Sequence, residues 1–120
     1  MSDIKIGTEI PPLNLPPISR ATLALFAGAS GDHNPIHIDS DFANKAGMPD
    51  VFAHGMLSMA YLGRMLTGWK PQSQLRKFSN RFALMTQLQD VITCSGKVVE
   101  IFEEKGERRA RLEIVAAKRD

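Results

Sequence analysis

The sequence predicts an α+β fold in which an antiparallel sheet curls around one buried helix. Two observations predict it. Helical spacing is confined to residues 19–69, and strand-like alternation begins at Leu75. Such segregation is the mark of α+β rather than alternating α/β. Second, "HGMLSMAYLGRMLTGW", residues 54–69, is apolar around nearly its whole helical circumference, with Arg64 its one strong charge. A helix apolar on all sides belongs inside a protein, and a curved sheet is the economical cover.

The elements follow in order. Residues 11–17, "PPLNLPP", hold four of the seven prolines and read as an extended entry segment. Ser19 reads as the N-cap of a helix with Leu23, Phe26 and Ala27 on one side and Gly28 as its stop. "SDFANKAG" reads as a short helix from an Ser40 cap to Gly47, with Pro49 beyond. After the buried helix, Phe78, Phe82, Leu84 and Leu88 share one parity and predict a half-buried strand, interrupted at Asn80. "DVITCSGKVVEIF" is a β-branched run with Gly96 as a bend or bulge. "EEKGERR" is a hairpin turn with Gly106 at its tip, and "ARLEIVAA" returns with Leu112 and Ile114 on one parity.

The bulk numbers narrow the function classes. At 120 residues the chain is one domain, 1–120, able to bury roughly two-thirds of its unfolded surface. The lone Cys94 forms no internal disulfide, which suits a reducing, cytoplasmic setting. No apolar run is long enough to span a membrane, and "MSDIKIGTEI" lacks the pattern of a signal peptide. A net charge of +2, with clusters at Arg76-Lys77 and Arg108-Arg109-Arg111, has no aromatic-interleaved basic stripe, so a nucleic-acid partner is not expected. Those clusters read as solvated faces or as contacts for a small anionic ligand.

The chemistry concentrates in "SGDHNPIH", residues 30–37, and "AHGML", residues 53–57; together they hold His33, His37 and His54, the only histidines. His33 and His37 have the spacing of two metal ligands on a helix, but Pro35 between them breaks that geometry. No metal is expected. No serine lies in a nucleophile-elbow sequence, and Cys94 reads as a packed strand residue. Acid–base chemistry fits better. Gly31 permits unusual backbone angles before Asp32, and Asn34-Pro35 is a stiff turn pair that can hold Asp32 and His37 against one small volume. His37, between Ile36 and Ile38, reads as inward on the strand-like side of the turn. His33 reads as an exposed bystander. Taken alone, G-D-x-N is more often a turn than a site. Gly55 opens the long helix, where free N–H groups and the dipole favour a ligand oxygen. Alone, it is better read as a helix start against a crowded neighbour.

"FAGASGDHNPIHIDSDFA" followed by "VFAHGML" resembles the signature of the (R)-specific enoyl-CoA hydratases and the wider MaoC-like dehydratases. The pattern is carried by Phe26, Gly31, Asp32, Asn34, Pro35, Ile36, His37 and Ala43. The resemblance is strong over residues 19–69 and weak beyond. It implies a hot-dog fold, dimeric through sheet pairing, with the active site near the dimer interface. It implies Asp32 and His37 as the catalytic pair, Gly55 as oxyanion donor, and Gly31, Asn34 and Pro35 as support. It also implies a hydro-lyase: reversible hydration of a trans-2-enoyl-CoA to the (R)-3-hydroxyacyl-CoA, with no cofactor beyond the thioester substrate. His54, Met56, Met59 and Leu62 are weaker candidates for substrate contact.

Two departures from the family pattern bear on the fold. The family closes its sheet with a further strand of the form G-x-A-x-V, whereas this sequence ends at "AAKRD". The sheet is then one strand short, or a partner covers the edge, or the gene is truncated. The family's P-V-x-x-G-D before the next strand is here "ALMTQLQD", keeping Asp90 without the proline and glycine. Two alternative functions stand beside the hydratase: a 3-hydroxyacyl-carrier-protein dehydratase subunit of a heterodimer, and a hot-dog protein that binds acyl thioesters without turnover.

Overall fold

The computed structural model describes residues 4–119. The chain starts with a strand, β1 (Glu9–Asn14), and continues with helices α1 (Arg20–Ser30), α2 (Ser40–Lys45) and α3 (Gly55–Trp69). It ends with the long strands β2 (Val91–Glu104) and β3 (Glu107–Arg119). The three strands form one antiparallel sheet in the order β1-β2-β3.

The proline-rich entry is thus an edge strand. Its ladder slips between Ile10 and Leu13, so Pro11 and Pro12 fall in a bulge, where a missing N–H removes no paired bond. Conversely, the strand expected through Phe78, Phe82, Leu84 and Leu88 is absent. That segment is irregular, with one isolated bridge between Phe52 and Gln87. No neighbouring strand pairs it along its length, and alternation alone cannot stabilise a strand without a ladder partner. Phe82, Leu84 and Met85 are consequently exposed.

α1 starts where the sequence predicts: the Ser19 hydroxyl accepts from Thr22 N at 3.1 Å. It runs past Gly28 and stops at Gly31, whose φ of 77° lets it close the helix by donating to Ala27 O. α2 is capped by the Asp39 carboxylate, which accepts from Asp41 N and Phe42 N, rather than by Ser40. The Ser40 hydroxyl instead donates to Asp50, which also pairs with Arg20. These donors hold the Asp50 carboxyl below its ordinary range, the Ser40 hydroxyl foremost.

α3 bridges two apolar clusters. Leu62, Met65 and Leu66 pack with Ile10, Leu15, Ile92 and Cys94 on the sheet. Leu57 packs with Ile18, Leu23, Ala43, Val51 and Ala53 under α1 and α2. Each such buried side chain contributes roughly 1.5–3 kcal/mol. The helix is not buried on all sides in the single chain, since Met56 and Ala60 face outward. Cys94 is fully enclosed, as its strand position suggests, and burial pushes its thiol up to about 11.

Gly96 is where the sheet is tightest. A Cβ there would lie 2.8 Å from Ile114 Cγ2, 2.9 Å from Ile10 Cδ1 and 3.1 Å from Glu113 O. The β2 bulge expected at Gly96 falls instead between Val98 and Glu100. Lys105 and Gly106, both with positive φ, make the predicted hairpin turn, which is two residues long.

Candidate active site

The site forms where the loop after α1 meets the start of α3. Gly31 reverses the chain, and Asp32 follows with its main-chain N–H donating to Ser30 Oγ at 3.2 Å. The next bends are self-supporting. Asn34 N donates to Asp32 Oδ1 at 3.3 Å, and Ile36 N donates to Asn34 Oδ1 at 3.1 Å. Pro35 then opens a 3-10 turn, Pro35–His37, capped by Asn34. A proline at that position loses no donor and supplies the needed φ. The turn is therefore helical rather than strand-like, but it does aim the His37 ring inward. His33 is exposed and apart from the cluster.

Opposite the loop lies the segment Val51–His54, held in place by Ala53 N donating to Thr86 O at 2.9 Å. It offers the Phe52 carbonyl, 2.8 Å from His37 Nδ1. A carbonyl only accepts, so His37 carries its hydrogen on Nδ1 and leaves Nε2 free. The Phe52 ring meets the His37 ring edge-on at 5.0 Å. On the other face, His54 stacks on His37 with centroids 4.0 Å apart and 29° between planes. His54 Nε2 donates to the Asp32 main-chain oxygen at 3.1 Å. Its Nδ1 is buried without a partner.

Asp32, His37 and His54 thus come together, with a ligand atom of each within 4.8 Å of the others. The sequence singles out all three, but places His54 only as a contact for substrate. The structure encloses it, 1% exposed, behind His37 and against the edge of Phe26 at 5.0 Å. Leu62, another such candidate, is core. Met56 is exposed and Met59 half-buried, both beside the helix start. Sequence reasoning misses the Phe52 carbonyl, since any residue supplies one.

α3 begins at Gly55 with no side-chain cap from His54. Its first amides therefore lie at the positive end of the helix with no side-chain cap. The crowded neighbour is Phe82: a Cβ on Gly55 would stand 3.2 Å from its ring. Below the site the unusual loop resolves itself. Gln89 takes φ 68° at the position where the family's pattern has glycine, and Asp90 Oδ2 accepts from Gln87 N at 2.7 Å.

Known proteins resemble this chain in both sequence and structure. It is 30% identical over 115 residues to fatty acid synthase subunit beta of Saccharomyces cerevisiae, covering 87% of this chain and 6% of that protein. It is 34% identical over 92 residues to the (R)-specific enoyl-CoA hydratase of Rhodospirillum rubrum, covering 73% of this chain and 62% of that one. The aligned parts thus span less than two-thirds of either relative. The ChsH1-ChsH2 complex from Mycobacterium tuberculosis superimposes with a TM-score of 0.81 at 22% identity, covering 95% of this chain and 87% of the matched one. That likeness shows a hot-dog fold, as the sheet against α3 leads one to expect. The family described as MaoC like domain matches residues 4–117, nearly the whole chain, and the protein belongs to it.

Proposed function

We propose that this chain is the catalytic unit of a hydro-lyase that adds water to a trans-2-enoyl-CoA, giving the (R)-3-hydroxyacyl-CoA, and runs the reverse dehydration. The observation that carries the reading is the meeting of the Asp32 carboxylate and a His37 ring of fixed tautomer beside the uncapped start of α3. The relatives named as hydratase and 3-hydroxybutyryl-CoA dehydratase support the same class.

The chemistry follows from what each group can do. The thioester oxygen accepts a hydrogen bond from the Gly55 N–H, which draws electron density from C3. A water held between Asp32 and His37 Nε2 attacks C3, and one of the pair takes its proton. The C2=C3 electrons move onto the thioester as an enolate, stabilised at the helix terminus. The other group of the pair delivers a proton to C2, and the thioester reforms. Both additions come from one face because both groups stand on one side of the substrate. Positioned acid–base groups contribute typically ~10²–10⁴-fold. No step needs a redox cofactor, since water adds across the double bond with no net oxidation or reduction.

The partner chemistry is a CoA or carrier-protein thioester, with the protein acting as a dimer in the cytoplasm. Exposed Met56 and Phe82, beside Gly55, give a second hot-dog subunit an apolar surface at the site. The matched structure is itself a two-protein complex, which favours a heterodimer as the second reading. No described helix is long and apolar enough to cross a membrane.

The test is turnover. The protein is offered trans-2-enoyl-CoA substrates of increasing chain length, and loss of the enoyl absorbance is followed while sedimentation reports its size. The reading predicts hydration to the (R) product by a dimer. Binding without turnover at every length contradicts it and leaves the non-catalytic thioester-binding role.

A further inference from the structure

We infer that His54 is a positioning residue for the Asp32/His37 pair, acting through the main chain rather than on the substrate. The inference rests on the hydratase reading for its kinetic consequences and on geometry alone for its structural ones.

His54 joins the two halves of the site. It is the last residue before α3, so its backbone is anchored to the longest helix. Its Nε2–H reaches back 22 residues to the Asp32 carbonyl at 3.1 Å. The Asp32 carbonyl otherwise belongs to a loop shaped by local turns, Asn34 N to the Asp32 side chain and Ile36 N to the Asn34 side chain, and anchored further along by Ile36 packing and the His37 Nδ1–H bond to Phe52 O. Those turns fix the loop's shape, not its distance from the helix. The Phe52 bond fixes that distance at the His37 end, and the His54 bond fixes it at Asp32.

The same ring sets the plane of His37. The His37 imidazole has Phe52 at its edge and His54 on its face, and its Nδ1–H is committed to Phe52 O. Rotation is blocked by packing on one side and by a hydrogen bond on the other, with the ring held in the cluster it forms with Asp32. A single side chain therefore touches both members of the pair, the Asp32 main chain by a hydrogen bond and the His37 ring by stacking.

The chemistry of His54 argues against a packing role alone. Among the described residues it is the only polar or charged one that is buried, and its Nδ1 has no partner. Phenylalanine would fill the space between Phe26 and His37 without stranding a polar nitrogen. What histidine adds is the N–H to Asp32.

Three variants separate the possibilities. In His54→Phe the ring remains and the donor is lost. In His54→Asn the amide reaches the place of Nδ1, not that of Nε2. In His54→Gln the amide nitrogen can occupy the place of Nε2 and restore the donor. The inference predicts that kcat falls about 10²-fold in His54→Phe and His54→Asn, the cost of a small misplacement, with KM within about twofold. His54→Gln recovers most of the loss. Amide exchange of residues 31–37 quickens in His54→Phe and His54→Asn and stays slow in His54→Gln, with the thermal midpoint of His54→Phe unchanged.

A His54→Phe protein with normal kcat, or a His54→Gln protein as impaired as His54→Asn, overturns the inference. A rise in KM alone marks substrate contact and overturns it too. If the wild-type protein turns over no enoyl thioester, the hydratase reading fails, and the exchange pattern still decides whether His54 holds the loop.

Discussion

Single residues explain both what the sequence discloses and what it withholds. The turn through Asp32, Asn34, Pro35 and His37 is legible because its bends are written in neighbouring residues, while the roles given to those residues rest on the family resemblance. His54 is visible as a residue and not as a partner, since its bond to Asp32 spans two elements whose packing no local pattern encodes. Gln89 shows the opposite case. A non-glycine residue at φ 68° is strained, and the loop keeps that angle because Asp90 Oδ2 and the bond from Gln89 N to Ile18 O hold both sides. Left-handed backbone costs an L residue roughly 1–2 kcal/mol, and glycine returns part of the relief as unfolded-state entropy. Gln89→Gly is expected to raise unfolding stability by about 0.5–1 kcal/mol in a urea titration. A loss of stability would mean that the Gln89 side chain contributes a contact larger than the strain.

Among the elements, α1, α2, α3, β2 and β3 are all foreseen; the smaller errors are at element ends, Gly28 for Gly31 and Ser40 for Asp39, and the larger ones are in pairing. Caps and turns are written in neighbouring residues, so Ser19 and the Lys105-Gly106 turn are read correctly. Strand partners are not, so the proline-rich entry becomes β1 while the alternating segment around Phe82 stays irregular. Glycines divide along the same line. Gly96 looks like a bend from the sequence and is a close contact between three strands. Gly96→Ala is expected to destabilise by roughly 1–3 kcal/mol, the usual cost of overpacking. Gly28→Ala is its control, inside α1 with open space around it, and should gain roughly 0.5–1 kcal/mol. Equal effects at the two positions would contradict the assignment of Gly96 to a packed sheet.

As a whole, the molecule exposes more than a lone domain should. Its 7915 Å² of accessible surface exceeds the roughly 6,500 Å² typical of 13.3 kDa. Its radius of gyration of 16.7 Å exceeds the roughly 14 Å typical of 120 residues. Part of the excess is apolar: Leu84 is 92% exposed, with Phe82 and Met85 near it. A second hot-dog subunit that covered Phe82 would also close over Gly55, joining assembly to catalysis. The buried helix predicted from residues 54–69 is understandable in that light. The sequence is apolar nearly all round the helix, whereas the single chain buries only the side toward the sheet and α1 and leaves Met56 and Ala60 outward.

The central claim is that Asp32 and His37 act together on one water. Its most direct test is steady-state hydration of crotonyl-CoA by the wild type, Asp32→Asn and His37→Ala, with circular dichroism confirming each fold. The account predicts that kcat/KM falls by at least about 10²-fold in each variant. It also predicts that the double variant is little worse than either single one, because the two groups serve one proton-transfer event. Near-wild-type turnover in either folded single variant would contradict it.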